Sequence, residues 1–492
     1  MKTNATPTVL IALPLLALVL SYCKHPVDPQ IVVRETATDT MAIAKVRAFN
    51  DYSVPGQIYV TDAGKQGVFK LDKLDKTSAD NTGIILVTAN GERYVRQFSG
   101  SASTVWFDIS TTDADIGPKL QIAVKATPDL TFPEGTFTQQ TSVQMQPGMT
   151  LRGNPGRTVI NLTKSYISLI SDTATHVPLE NVLIDGLSWV VAPTDRNPLY
   201  GVLVVDGPSI KNFTVQNCNS TDAQAQVATN FLSINIAKGK TAQNILVQNN
   251  YVSAKRTGCE ILNLKENNLG VYAGSNLVVR NNSFSNCSLS GISIDGAHDG
   301  ILIDQNALRN CGDYGIEVQG LAHNVRITNN TFEGTFNQLF SSSVNEPKHG
   351  YPEGGYTITG NRTIGTCAGG VYIENAGTAT FAGNAFRMSG AMQLKSTYSR
   401  GGTYADNVIE SGAENAVICD NAPNNTFTGN TISNKSSQKN DGTFKAVNLN
   451  ATNVVLKNNK LSKGPQGVYY YATQGATLQS IGNVDDAGNP IP

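Results

Sequence analysis

An asparagine returns at nearly constant spacing through the second half of the chain. The segments Leu277-Val-Val-Arg-Asn-Asn282, Ile301-Leu-Ile-Asp-Gln-Asn306 and Asn324-Val-Arg-Ile-Thr-Asn-Asn330 each alternate apolar and polar residues and end in Asn. The column Asn250, Asn282, Asn306, Asn330, Asn361, Asn384, Asn407, Asn430 and Asn459 recurs about every 23–32 residues. Such a period marks a solenoid, in which each repeat buries its apolar edge against its neighbours. Short strands and turns fill the period, with no helical periodicity. The pattern predicts an all-β chain wound as a single-stranded right-handed parallel β-helix of about twelve coils. Side chains at one register then stack from coil to coil, about 4.8 Å apart. Asn tolerates left-handed backbone and hydrogen-bonds its own kind, so a column of Asn supports one corner of the coil.

A second strand follows each Asn: Gly291-Ile-Ser-Ile-Asp295, Gly315-Ile-Glu-Val-Gln319, Gly370-Val-Tyr-Ile-Glu374 and Ala391-Met-Gln-Leu-Lys395. Its apolar members, among them Ile292, Ile294, Val318 and Leu394, are expected to fill the core, and the alternating members to face outward. Cys218, Cys259, Cys287, Cys311, Cys367 and Cys419 fall at repeat positions in separate coils. They read as small buried apolar groups rather than a disulfide framework, with Cys287 and Cys311 near enough in register to bridge. The 45 glycines suit a turn-rich chain, and a formal charge of −1 gives no global attraction to nucleic acid or anionic lipid.

The first 22 residues read as a signal peptide, with Lys2 as its basic start and 9–20 as its apolar stretch. Leu20-Ser-Tyr-Cys23 resembles a bacterial lipoprotein box, which implies lipid attachment at Cys23. The expectation is an exported protein, at the outer membrane or cell surface, otherwise periplasmic or secreted, touching membrane only through that anchor. Residues 23–40 read as a tether, 41–108 as a small β module, 109–160 as the cap and start of the solenoid, and 161–492 as the β-helix. Residues 118–125 suit a short amphipathic helix covering the open end of the stack, as terminal repeats require.

The 41–108 segment, with its Trp106-Phe107 pair, resembles the small β module that precedes the solenoid in phage tailspike-like proteins. Phe132-Pro-Glu-Gly-Thr-Phe137, Leu151-Arg-Gly153 and Thr158-Val-Ile160 follow in the order found in the pectate-lyase superfamily. The resemblance implies a parallel β-helix and leaves the chemistry open, since that superfamily spans lyases, hydrolases, epimerases, transferases and adhesins.

An extended polymer can lie along an outward sheet face, walled by loops. The coil from Asn330 to Asn361 is longer than its neighbours, its excess being 344–355, with further insertions at 192–200, 222–230, 265–275 and 435–443. Outward positions of the second strand read Lys265, Asp295, Gln319, Glu374, Lys395, Asp420, Asn450 and Tyr471 in one column. The parallel column reads Asn263, Ser293, Glu317, Tyr372, Gln393, Asn448 and Tyr469. Carboxylates, amides, lysines and tyrosines on one face suit carbohydrate, so the expected partner is a polysaccharide.

Two chemistries fit. In β-elimination on a uronic-acid polymer, Lys395, Lys265, His349 and Tyr351 are the candidate bases. Asp295, Glu317 and Glu374 are then candidate ligands for Ca²⁺ through hard oxygens. Glu260-Ile-Leu-Asn-Leu-Lys265 and Lys395-Ser396 resemble strands of chondroitinase-B-like lyases, but Asp295-Gly-Ala and Asp420-Asn-Ala stand where those lyases carry Arg-His-Gly. In hydrolysis, paired carboxylates from Asp295, Glu317 and Glu374 do the work. The candidate catalytic set is therefore Asp295, Glu317, His349, Tyr351, Glu374 and Lys395, with Lys265, Tyr372, Gln393 and Arg400 binding substrate. The sequence favours a lyase, then a glycoside hydrolase, then a non-catalytic carbohydrate-binding protein.

Overall fold

The computed structural model describes residues 31–492 except 166, 172–176, 193–200, 224–228, 264–272, 344–354, 375, 390–393, 414, 436–444 and 464–466. Cys23, Lys265, His349, Tyr351 and Gln393 lie outside the described residues.

Parallel pairing governs the whole solenoid. One sheet of fifteen strands runs from Ala102–Ser103 to Leu478–Ile481, a few more than the about twelve coils expected from the sequence. The other face is a sheet of 24 strands made of two strips. One strip holds the short strands after each Asn, such as Tyr251–Ser253, Ser283–Ser285 and Ala307–Arg309. The next holds Thr257–Asn263, Ser290–Asp295 and Tyr314–Gln319. The strips merge at the long strands Thr331–Ser343 and Arg362–Glu374. Below they are called the second and third faces, and the fifteen-stranded sheet the first.

Alternation decides what is inside. Ile292, Ile294, Val318 and Leu394 are fully buried, as their period-two placement predicts. All six described cysteines are free and buried in the same core. Burial pushes most of their thiols up, Cys218 and Cys259 to about 12.

The corner between the first and second faces is a ladder of buried amides. The side-chain carbonyl of Asn330 accepts from the backbone N–H of Asn306 at 2.9 Å and from its amide nitrogen at 3.0 Å. The Asn330 amide nitrogen donates onward to Asn361 at 2.9 Å and to the Ile303 carbonyl at 3.0 Å. The same three-bond motif repeats from Asn250 to Asn459 and ends on Asn483, which the sequence reading left out of the column. The left-handed residue is not the ladder Asn itself. It is the one before it: Asn249 (φ 55), Asn281 (φ 54), Gln305 (φ 55), Asn329 (φ 56) or Asn458 (φ 54). Gly360, Gly383 and Gly429 fill that place elsewhere, because the turn requires positive φ there.

The amino-terminal module is a five-stranded sheet in the order Val32–Met41, Ser53–Val60, Gly67–Asp72, Arg93–Arg96, Ile85–Val87. Residues 32–40, expected as tether, pair in parallel with Ser53–Val60. Backbone hydrogen bonding gives an edge strand that a polar composition does not announce. Arg96 joins module to solenoid. Its guanidinium lies 4.5 Å from the Phe69 ring centre and 4.2 Å from that of Trp106, and it donates to the Gly83, Gln66 and Lys65 carbonyls. The helix Gly117–Ala126 buries Leu120, Ala123 and Val124 against the first coils, as the cap reading predicts. Asp115 fixes its start, accepting from the backbone of Gly117 at 2.8 Å and Gln140 at 2.9 Å.

Asn330→Ala removes the acceptor for two donors of Asn306 and a donor to Ile303, all buried. Each orphaned group costs about 1–3 kcal/mol, so a loss of about 3 kcal/mol or more is expected in denaturant unfolding. A loss under about 1 kcal/mol would show that the ladder is not what holds this corner.

Candidate functional site

The third face gathers the polar groups. Its strand register places Ser233, Glu260, Ser293, Glu317, Ser341, Tyr372 and Lys395 in one outward row. A second row runs Asn235, Leu262, Asp295, Gln319 and Ser343, with Glu374, Thr397 and Asp420 continuing it. Two strands therefore sit at registers other than those read from sequence. Lys395 pairs with Tyr372 rather than with Glu374, a shift of two residues. Glu260, not Asn263, lies beside Ser293, a shift of three.

Glycine sets this register. A Cβ on Gly258 would meet the Gly291 carbonyl oxygen at 2.5 Å, and one on Gly291 would meet that of Gly315 at 2.8 Å. Gly258-Cys-Glu-Ile261, Gly291-Ile-Ser-Ile294 and Gly315-Ile-Glu-Val318 thus align on their glycines. That signal was available in the sequence and would have placed Glu260 in the site.

Glu260 and Glu317 are two coils apart, with the small Ser293 between them. Glu260 is buried and accepts from the Asn230 amide at 2.6 Å, the Ser233 hydroxyl at 3.3 Å and Arg256 at 3.2 Å. Glu317, also buried, accepts from the Ser293 hydroxyl at 2.8 Å and from the Gln319 amide. Burial pushes the Glu317 carboxyl above its ordinary range. The charges of Asp295 and Glu260 push the same way, against the hydrogen bonds from Ser293 and Gln319. Burial likewise raises Asp295, one coil from Glu317 in the adjoining row, opposed by the Gly296 backbone N–H. Tyr314, whose phenol is raised by burial and by Glu317, borders the same cluster.

Behind Asp295 the buried imidazole of His298 is hydrogen-bonded through Nε2 to the Asp295 carbonyl at 2.8 Å. Its Nδ1 has no partner, and burial lowers its pKa to about 4, so the ring is neutral. Neutral His298 therefore donates from Nε2 and fixes the turn that carries Asp295. A Cβ on Gly274 would lie 2.1 Å from Nδ1, so glycine there makes room for the ring.

The other sequence candidates spread along the face. Tyr372 is half-buried in the Glu317 row, two coils on, and Lys395 is three coils on. Glu374 stands three coils from Asp295 in the second row, about 14 Å by strand spacing. Asp295, Glu317 and Glu374 therefore do not converge, and no group of three metal-ligating side chains occurs among the described residues. Arg400 is exposed in the turn after Leu394–Thr397, off both rows.

The chain belongs to the right-handed β-helix family, whose model matches residues 200–346 and 349–485. Residues 42–99 match the small four-stranded β-sheet domain of phage tail proteins. No curated protein matches the chain in sequence. Among solved structures, the chain is similar to the tailspike protein of Acinetobacter baumannii phage AM24, at 17% identity over 79% of this chain and 65% of that one (TM-score 0.44). It is also similar to the A-module of mannuronan C-5 epimerase AlgE6 of Azotobacter vinelandii, at 14% identity over 79% and 100% (TM-score 0.45). A third is PfbA, a surface adhesin of Streptococcus pneumoniae, at 14% over 79% and 90% (TM-score 0.40). At these identities the likeness is one of fold.

The raised Glu317 carboxyl gives a signed pH test. Its protonated form is favoured in the folded state, so that stability is fully present below the unfolded value, about 4.3, and is lost as pH rises through the folded value. Glu317→Gln keeps a neutral group at every pH. Its Tm relative to wild type is expected to climb between pH 4 and pH 8, and a flat or falling difference would remove the buried-acid description.

Proposed function

We propose that this is an exported polysaccharide-active protein whose third face cleaves glycosidic bonds by hydrolysis with paired carboxylates. One observation carries the reading: Glu260 and Glu317 share an outward row, two coils apart, with Ser293 between them. Two coil steps separate their backbones by about 9–10 Å. Inverting glycosidases hold their carboxyls roughly 6.5–9.5 Å apart to admit a water. Glu317, the carboxyl made harder to ionise, donates the proton to the leaving oxygen. Glu260, ion-paired with Arg256 and held by Asn230 and Ser233, takes the proton from the attacking water. Asp295, one coil from Glu317, adds its charge to the burial that favours the protonated form of Glu317.

The row continues through Ser341 and Tyr372 to Lys395. From Glu260 this makes five coil steps of about 4.8 Å, an extended groove of about 24 Å. Small serines leave room on its floor, and the Tyr372 ring offers a face for a sugar to stack on.

β-Elimination is the second reading. Lys395 as base favours it, and so does Tyr372 beside it in the same row. A polysaccharide panel followed by a reducing-end assay and by ultraviolet absorbance separates the two. Hydrolysis gives reducing ends with no absorbing unsaturated product. Glu317→Gln and Glu260→Gln should each lower turnover by about 10²-fold or more, with folding intact. Absorbing products that survive Glu260→Gln and vanish with Lys395→Ala would overturn the hydrolytic reading in favour of the lyase. Binding without any product would leave a carbohydrate-binding protein.

The reading includes export with a lipid on Cys23, motivated by Leu20-Ser-Tyr-Cys23. Metabolic labelling with palmitate should mark the wild type and not Cys23→Ala. Equal labelling of both would sink the anchor.

A further inference from the structure

The second face carries a cavity of about 480 Å³ that the paired carboxylates do not use. It lies on the outward side of the short strands, whose first row runs Tyr251, Ser283, Ala307, Thr331 and Arg362. The adjoining row runs Ser253, Ser285, Arg309, Glu333 and Ile364. The hollow comes from side-chain size. Ser283 and Ala307 end near the sheet, while Tyr251 rises at one end and Ile364 at the other.

Three features point to a ligand. Tyr251 is 55% exposed and Ile364 is 51% exposed, in a protein whose other large apolar side chains mostly lie in its core. Both line the hollow, so each presents an apolar surface to it. Arg309 and Glu333 stand 3.6 Å apart across its wall, too far for a good hydrogen bond. Both line the hollow and are solvent-exposed, so each keeps donor or acceptor capacity there. Asn310 completes the rim, and its amide nitrogen reaches Asn286 at 3.3 Å, a geometry that leaves further capacity.

We propose that this hollow is a second saccharide-binding site, separate from the hydrolytic row, for one or two uncharged sugar rings. A ring has an apolar C–H face, which fits an exposed tyrosine. Its vicinal hydroxyls fit a donor and an acceptor side by side, as Arg309 and Glu333 provide. Those two charges cancel, so the site carries no net attraction for an anionic sugar. The volume sits in the lower half of the range for small-ligand sites, about 300–1,000 Å³, which matches a mono- or disaccharide rather than a long segment. Binding does not require Glu317 to be active, so the proposal stands apart from the hydrolytic reading.

The test uses the full chain carrying Glu317→Gln, which on the hydrolytic reading slows turnover. Glucose, galactose, mannose, N-acetylglucosamine, maltose and cellobiose are probed one at a time by saturation-transfer NMR and titration calorimetry. At least one should bind. Tyr251→Ala and Arg309→Ala should each weaken it by about tenfold or more, while Tyr251→Phe keeps it. Tyr372→Ala should leave it unchanged, because Tyr372 lies on the other face. Three results would overturn the proposal. One is no binding by any of the six sugars. A second is binding that survives Tyr251→Ala and is lost with Tyr372→Ala. The third is a concentration-dependent rise in mass that Tyr251→Ala abolishes, which would make the hollow a contact between two copies of the chain. Loss of turnover in Glu260→Gln with sugar binding intact would separate the two sites, whichever chemistry the row performs.

Discussion

The buried asparagine ladder is the constraint on which the rest depends. A coil corner must turn the backbone sharply inside a dry core, and every N–H and C=O freed by the turn needs a partner. Here the side chain of the next coil supplies it: one Asn carbonyl takes both a backbone N–H and an amide N–H from the coil before. The bond has little tolerance, so it locks neighbouring coils in angle as well as in height. Once the corner is locked, the strands on either side are in register, and the rows of outward side chains become straight columns.

The third face shows what straight columns allow. Glu260 and Glu317 belong to different coils and are 57 residues apart in sequence, yet they occupy one row because Gly258, Gly291 and Gly315 lie against each other's backbones. The alignment of the row therefore rests on glycines that carry no functional group. The neutral His298 behind Asp295 acts in the same way, holding the Asp295 carbonyl.

Much of this was legible in the sequence. The asparagine period gave the architecture, the corner and the inward positions, because the ladder demands one residue type at one place in every coil. The outward rows were read less well. Apolar alternation fixes which way a side chain points, and this held for Leu394 and Lys395. It does not fix which coil position stands beside which, so alternation places Lys395 beside Glu374, two residues from its true neighbour Tyr372. Alternation alone puts Asn263 rather than Glu260 beside Ser293; the close approach of Gly258 to the Gly291 carbonyl, which sets the true register, has no signature in alternation. The hollow beside Tyr251 left no motif at all. It is made by the absence of bulk at Ser283 and Ala307, and a sequence advertises large residues more loudly than missing ones.

The ladder also has a direction. Every side-chain carbonyl in it accepts from the coil on its amino-terminal side, and from Asn250 to Asn459 each amide nitrogen donates one hydrogen bond forward to the next Asn and another back to a backbone carbonyl of the preceding coil. The amide dipoles therefore point the same way along the axis and polarise one another, as peptide groups do along an α-helix. A stack held this way is electrically uneven from end to end. Asn250 presents its carbonyl to the backbone N–H of Cys218, while Asn483 turns its amide to the Leu456 carbonyl and the Ser480 hydroxyl. A charge placed near one end of the column thus meets a different field from the same charge near the other.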